Sequence, residues 1–292
     1  MNLRLGDRAM ELRPGRPLLM GIVNVTPDSF SDPGELPTLE AQVERGLALR
    51  GDGADLIDVG GESGVTNAPS VEPEEEIRRV VPVIERLAAA GVTVSVDTYK
   101  PEVAAAAIAA GAILVNDVSG LREPELAGVC AERGAGLVVV HTRAAPKEKA
   151  FPAYDDVMAD VVAFLGERVA LARERGVEEE RIVVDPGPDL AKTPAETIEV
   201  LRRLPELAAL GRPVLLAVSR KDFVGALTGR PPAGRLGGTL AALEVGVAGG
   251  ASLVRVHDVA AAADYLAVRA ALRGEQAVPE DLALPEGLRR QA

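Results

Sequence analysis

A series of polar side chains recurs along this chain, each placed just after a short apolar run. In order they are Asn24, Asp58 with Glu62, Asp97, Asn116, His141, Asp185, Ser219-Arg220-Lys221, Arg255 and His257. Any one of them has a plain explanation, since an acidic or amide residue after a strand commonly caps the next helix. Their recurrence at the same end of every run points instead to one shared site. Asp97, Asn116, Asp185 and Lys221 supply the donors and acceptors needed to read the edge of a flat, nitrogen-rich heterocycle. A carboxylate suits an amino-pyrimidine edge because its two oxygens match adjacent N–H donors. Asn24, Arg255 and His257 suit a phosphate, and Asn24 can offer its carbonyl oxygen to Mg2+, which takes few protein ligands and keeps phosphate oxygens and waters.

The elements that must position these groups alternate with regularity. Nearly continuous apolar runs at 18–25, 54–59, 92–96, 112–115, 135–140, 181–184, 213–218 and 252–256 predict strands covered on both faces. Between them, Ala- and Leu-rich stretches at 39–51, 73–90, 101–110, 124–133, 154–176, 193–207, 236–249 and 259–272 predict helices. Several of these open with a proline in the first turn. Even spacing, and the lack of a GxGxxG after the first strand, favour an α/β chain closed as a (β/α)8 TIM barrel over an open doubly wound sheet. In such a barrel catalytic groups come from the carboxyl ends of the strands. Residues 1–274 are expected to form one barrel domain, with 275–292 as a peripheral tail.

Composition narrows the function classes. A net charge of −12 argues against nucleic acid or an anionic membrane as partner. Cys130 is the lone cysteine and His141 and His257 the only histidines, which excludes intrachain disulfides and disfavours a zinc centre. The N-terminus lacks the basic and apolar regions of a secretory signal, and no stretch of about 20 residues is free of charge. A cytoplasmic protein acting on small molecules is the expectation.

Over residues 18–272 the chain resembles the dihydropteroate synthases, pterin-binding barrels of folate synthesis. The matching segments are 21–32, 53–63, Val94-Ser-Val-Asp-Thr98, 115–120, Asp185-Pro-Gly187 with Lys192, Ser219-Arg-Lys221 and 255–259, in family order and spacing. The resemblance implies that 6-hydroxymethyl-7,8-dihydropterin diphosphate loses pyrophosphate as the amine of 4-aminobenzoate attacks its methylene carbon. By matching positions, Asp97, Asn116, Asp185 and Lys221 hold the pterin, and Asn24, Arg255 and His257 hold the diphosphate, with Mg2+ near Asn24. Asn24, Lys221, Arg255 and His257 are then the catalytic set. Thr26–Asp32 is expected to be a closing loop, and a homodimer through exterior helices is implied.

Three departures fall on the diphosphate and second-substrate side. Gly64-Val-Thr-Asn67 replaces a family segment carrying an arginine, a loss for which Arg143 is the candidate compensation. Pro188-Asp-Leu-Ala191 replaces glycines around an aromatic wall, with Leu190 in the aromatic's place. Asp222 stands where a small hydroxyl residue is usual, and is expected to turn outward as a helix cap. A pterin-binding paralogue with an altered second substrate or no catalysis, and a folate-dependent methyltransferase, therefore stay open as alternatives.

Overall fold

The computed structural model describes residues 2–26, 38–64 and 69–289. A two-stranded antiparallel hairpin, β1 (Asn2–Leu5) and β2 (Arg8–Glu11), precedes the barrel. Eight parallel strands then close on themselves: β3 (Leu18–Asn24), β4 (Leu56–Gly60), β5 (Val94–Asp97), β6 (Leu114–Asp117), β7 (Gly136–Val140), β8 (Ile182–Asp185), β9 (Val214–Leu216) and β10 (Ala251–Val256), with β10 pairing back onto β3. The helices are α1 (Leu39–Gly51), α2 (Pro73–Ala89), α3 (Pro101–Ala109), α4 (Glu125–Arg133), α5 (Val157–Glu174), α6 (Pro194–Arg202), α7 (Asp222–Thr228), α8 (Leu236–Ala248) and α9 (Val259–Leu272). The α/β barrel expected from the alternation is therefore present.

Side-chain direction alternates along each strand. Ile57, Val94, Val96, Val139, Val184 and Val254 pack outward against the helices in one apolar cluster. Met20, Leu56, Leu114, Val183, Leu215 and Leu253 fill the interior in another. Two residues beyond these inward positions come Asp58, Asn116, Asp185 and Arg255, so the period that packs the interior also aims the polar set at the barrel axis. Pairing levels them: Asn24 lies opposite Gly60, Gly60 opposite Asp97, and Asp97 opposite Asn116.

The sequence did not foretell the hairpin. Its Leu3 and Leu5 are fully enclosed and join the interior cluster from the amino-terminal ends of the strands. Arg181 donates to the carbonyl of Gly6 at 2.9 Å and Arg8 to Thr93 Oγ1 at 2.6 Å, fastening the hairpin to the barrel floor. Gly136 leaves the space: a Cβ there would come within 2.4 Å of the Leu5 side chain. Two helix ends also differ from expectation. α5 starts later, where Asp156 accepts from the backbone of Met158 and Ala159 as N-cap. α6 stops at Arg202, because Pro205 has no amide proton to continue it and Leu204–Leu210 tightens to a 3-10 helix.

Candidate active site

Strands β5, β6, β8 and β10 end in a cavity of about 490 Å3, a size usual for small-molecule sites. Asp97, Asn116, Asp185, Lys221 and Arg255 line it, so five of the residues singled out in the sequence converge. Arg255 organises the floor. Its Nε donates to Asp58 Oδ2 at 2.6 Å and its Nη2 to Asp97 Oδ2 at 2.7 Å. Asn116 Nδ2 donates to the same Asp58 oxygen at 3.2 Å. Among the described residues two buried acceptors then lack any partner, Asp58 Oδ1 and Asn116 Oδ1. A buried polar atom without a hydrogen bond is costly, and at a cavity it marks where a ligand donor fits. Among the described residues Lys221 Nζ makes no hydrogen bond, although it lies within electrostatic reach of Asp97 and Asp185.

The electrostatics follow from enclosure. Burial pushes Asp97 up to about 7, with Arg255 pulling the other way and Asp58 reinforcing the rise. Burial likewise lifts Asp185 to about 6, against the Gly187 amide that donates to its Oδ1 at 2.7 Å. The floor is thus rich in acceptors, short of donors, and eager for a ligand that brings N–H groups.

Asn24 and His257 end neighbouring strands but do not line the cavity. His257 is held by Ser219. Its backbone amide donates to Ser219 Oγ at 3.1 Å, and its Nδ1 lies 2.9 Å from the same oxygen; with the hydroxyl proton directed to Nδ1, the ring proton sits on Nε2. Burial, then Arg220 and Arg255, lowers its pKa to about 3, so the ring is neutral. The loop expected at 26–32 lies almost wholly outside the described residues, as do Val65–Asn67 of the first departure.

Two expectations are corrected here. Arg143 does not compensate for a lost phosphate-side arginine: it donates to both oxygens of Asp160, at 3.0 and 2.6 Å, and stacks on Phe164. Asp222 does turn outward, with its side chain 86% exposed, but it caps nothing; it is the first residue of α7, where Lys221 is the N-cap, and it pairs with Arg235 at 2.9 Å. Leu190 lines the cavity as anticipated.

Against this geometry, a family model for pterin-binding enzymes matches residues 20–257. The chain belongs to the pterin-binding enzyme family. Within it, the dihydropteroate synthase of Bacillus subtilis is 44% identical over 244 residues, covering 83% of this chain and 84% of that protein. A probable bifunctional folylpolyglutamate synthase/dihydropteroate synthase of Haloferax volcanii is 46% identical, over 82% of this chain but only 29% of its own length, so this chain spans less than a third of that relative. Among solved structures, the Xanthomonas albilineans dihydropteroate synthase with 4-aminobenzoic acid superposes with a TM-score of 0.86 at 47% identity, covering 95% of this chain and 99% of that one. The Yersinia pestis enzyme in a sulfonamide drug complex gives 0.88 at 36% identity, covering 94% and 100%.

Two residues named in the strand-end series, Asp58 and Glu62, were given no role from sequence. Asp58 is two residues inside the strand end, and its inward alternation was the available signal. Glu62 binds groups from three loops: its Oε1 accepts from Tyr99 at 3.0 Å and pairs with Lys147 at 3.2 Å, and its Oε2 accepts from Val71 N at 2.9 Å and Lys100 Nζ at 2.6 Å. Nothing local in the sequence announces that convergence.

Proposed function

We propose that this chain is a dihydropteroate synthase, joining 6-hydroxymethyl-7,8-dihydropterin diphosphate to 4-aminobenzoate with release of pyrophosphate. The observation that carries the reading is the acceptor-rich floor, where Asn116 Oδ1, between Asp97 and Asp185, is buried and has no partner among the described residues. An amino-pyrimidine ring brings the N–H donors that this floor lacks, and Lys221 meets the ring's carbonyl and nitrogen acceptors.

In the reaction the methylene C–O bond to the diphosphate breaks and its electron pair leaves with pyrophosphate. The lone pair of the aromatic amine forms the new C–N bond, and the amine gives up a proton. Positive charge that spreads into the pterin ring is favoured by Asp97 and Asp185 beneath it. Arg255, already bridging Asp58 and Asp97, adds a cation facing the leaving side. His257 turns its Nε2–H away from Ser219, as a neutral donor for a phosphate oxygen. No residue of the chain needs to act as nucleophile.

Mg2+ is part of this reading. Among the described residues no group of three acidic, histidine or cysteine side chains can hold a metal, so an all-protein cage does not fit. A single hard oxygen does: Asn24 Oδ1 faces the open position left by Gly60, 3.7 Å from where a Cβ would stand. Asn24 would hold the ion together with diphosphate oxygens and waters, and the ion would neutralise charge developing on the leaving group.

A homodimer is proposed as well, supported by exposed Leu227, Leu236 and Val245 on α7 and α8, and sedimentation equilibrium tests it. Among the described residues no helix is long and apolar enough to cross a membrane, and a cytoplasmic location is proposed from the sequence. The deciding assay combines purified protein, the pterin diphosphate, 4-aminobenzoate and Mg2+. Stoichiometric pyrophosphate and dihydropteroate are expected. Pyrophosphate without dihydropteroate would overturn the second substrate, and no affinity for a pterin ring would overturn the reading altogether.

A further inference from the structure

Between β8 and α6 the chain runs through a contorted turn that forms one wall of the cavity. Gly187, Asp189 and Ala191 all have positive φ, at 64°, 62° and 52°, and two of them carry a Cβ that disfavours this region. At Gly187 a Cβ would meet the His141 carbonyl at 2.0 Å, so the turn lies flat against the residue after β7. Such a segment persists only where its surroundings over-determine it.

Thr197 and Phe223 hold Asp189, Tyr154 Oη donates to the Ala191 carbonyl at 2.8 Å, and Lys192 holds Gly187 and Leu190 between them. Lys192 is 1% exposed, yet it lines the cavity alongside Asp185 and Leu190. Its Nζ contacts His141 Nδ1 at 2.7 Å, the Gly187 carbonyl at 2.9 Å and the Leu190 carbonyl at 3.1 Å, with the His141 carbonyl at the margin, 3.5 Å. The three near partners must all accept. Gly187 and Leu190 present carbonyl oxygens. His141 presents a bare Nδ1 because its Nε2 faces Asp160 Oδ2 at 2.9 Å, and a carboxylate can only accept. Although burial opposes it, Arg143 and His141 hold Asp160 below the usual carboxylate range, so that lock stays charged. Three acceptors require three donors, which an ammonium has and a neutral amine lacks.

We propose that Lys192 is a positioning residue of this site: its ammonium, oriented from behind by His141 and Asp160, pins the Gly187–Leu190 turn and with it the Asp185 wall of the cavity. The proposal rests on the pterin-binding reading of the pocket. It joins an outer residue on α5 to the pocket wall through a histidine tautomer. The charged groups that face Lys192 are Asp185 ending β8, Lys221 at the head of α7, Asp160 on α5 and Glu196 on α6. Burial lowers Lys192 to about 7, with Asp185 opposing and Lys221 assisting, so the pin loosens just above neutrality.

The test is calorimetric binding of 6-hydroxymethylpterin across pH 6–9 by wild type, Lys192→Met and Asp160→Asn, with the KM for 4-aminobenzoate measured in parallel. Wild type should lose affinity as pH rises past about 7. Lys192→Met should bind about tenfold more weakly at neutral pH and lose that alkaline decline. Asp160→Asn should move the decline to lower pH, because it removes a charge that favours the ammonium. An unaltered decline in Asp160→Asn, or wild-type affinity in Lys192→Met, would overturn the proposal. Wild type failing to bind the pterin at any pH would instead overturn the functional reading beneath it.

Discussion

Arg255 and Asp58 form a closed ion pair at 2.6 Å on the barrel axis, in which the second oxygen of Asp58 is buried and has no partner among the described residues. Asp58 is wholly enclosed, and the arginine spans from it to Asp97. A residue that the sequence assigned to the diphosphate therefore also sets the charge state of the pterin floor.

Asp58→Asn leaves that arginine with one carboxylate fewer in a dry site. Breaking one partner of a buried pair typically costs about 3–5 kcal/mol. The expected outcome is a loss of stability of about 3 kcal/mol by urea unfolding. A loss below about 0.5 kcal/mol would show that Arg255 is satisfied without Asp58.

Binding of the pterin ring should release protons. Asp97 and Asp185, lifted by burial to about 7 and about 6, are partly protonated in the empty site near pH 6.5. A ligand that donates N–H groups selects the ionised forms. Affinity then falls as pH drops below about 7, approaching tenfold per unit for each group protonated. Calorimetry at pH 6.5 in two buffers of different ionisation enthalpy measures the release, and a buffer-independent enthalpy would contradict it.

Lys221→Ala removes a cation that has no hydrogen bond among the described residues, so its loss costs the empty fold little. It should weaken pterin-ring binding about 10- to 100-fold, the value of one charge-assisted hydrogen bond. Fluorescence titration decides, and unchanged affinity would take Lys221 out of the pocket.

The histidines predict an acid limb of stability. Burial lowers both His141 and His257 to about 3, whereas in the unfolded chain they titrate near 6.5. Between those values only the unfolded chain takes up protons, so stability is full above about 6.5 and drains as pH falls. Asp97 and Asp185 act the other way, since their raised values favour the fold on acidification. His257→Asn should therefore flatten the loss between pH 6 and 4 relative to wild type, read from melting temperatures. Parallel curves would refute a neutral, enclosed His257.

The barrel was legible because its signal is periodic. Apolar strands recur with helices between them, and the polar groups at their ends fall at inward positions. Asp97, Asn116, Asp185, Lys221 and Arg255 were found this way and do meet. What escaped the sequence is made by distant segments folding onto one another. Lys192 appeared as part of a motif with no role, because its partners His141 and Asp160 are brought to it by β7 and α5. Arg143 looked available until Asp160 and Phe164 were seen to occupy it. The hairpin was missed because four-residue strands give too short an alternation to distinguish from a loop.

That hairpin has a consequence for traffic. With Leu3 and Leu5 completing the packed interior at the far end, the cavity lies at the opposite end of the barrel, where Glu62, Lys147 and Leu190 are among the described residues that line it. Whichever reactant sits deepest must enter first, and its product must wait for the doorway to clear. An obligatory sequence of arrivals is thus imposed in part by the ten residues Asn2–Glu11, none of which lines the cavity.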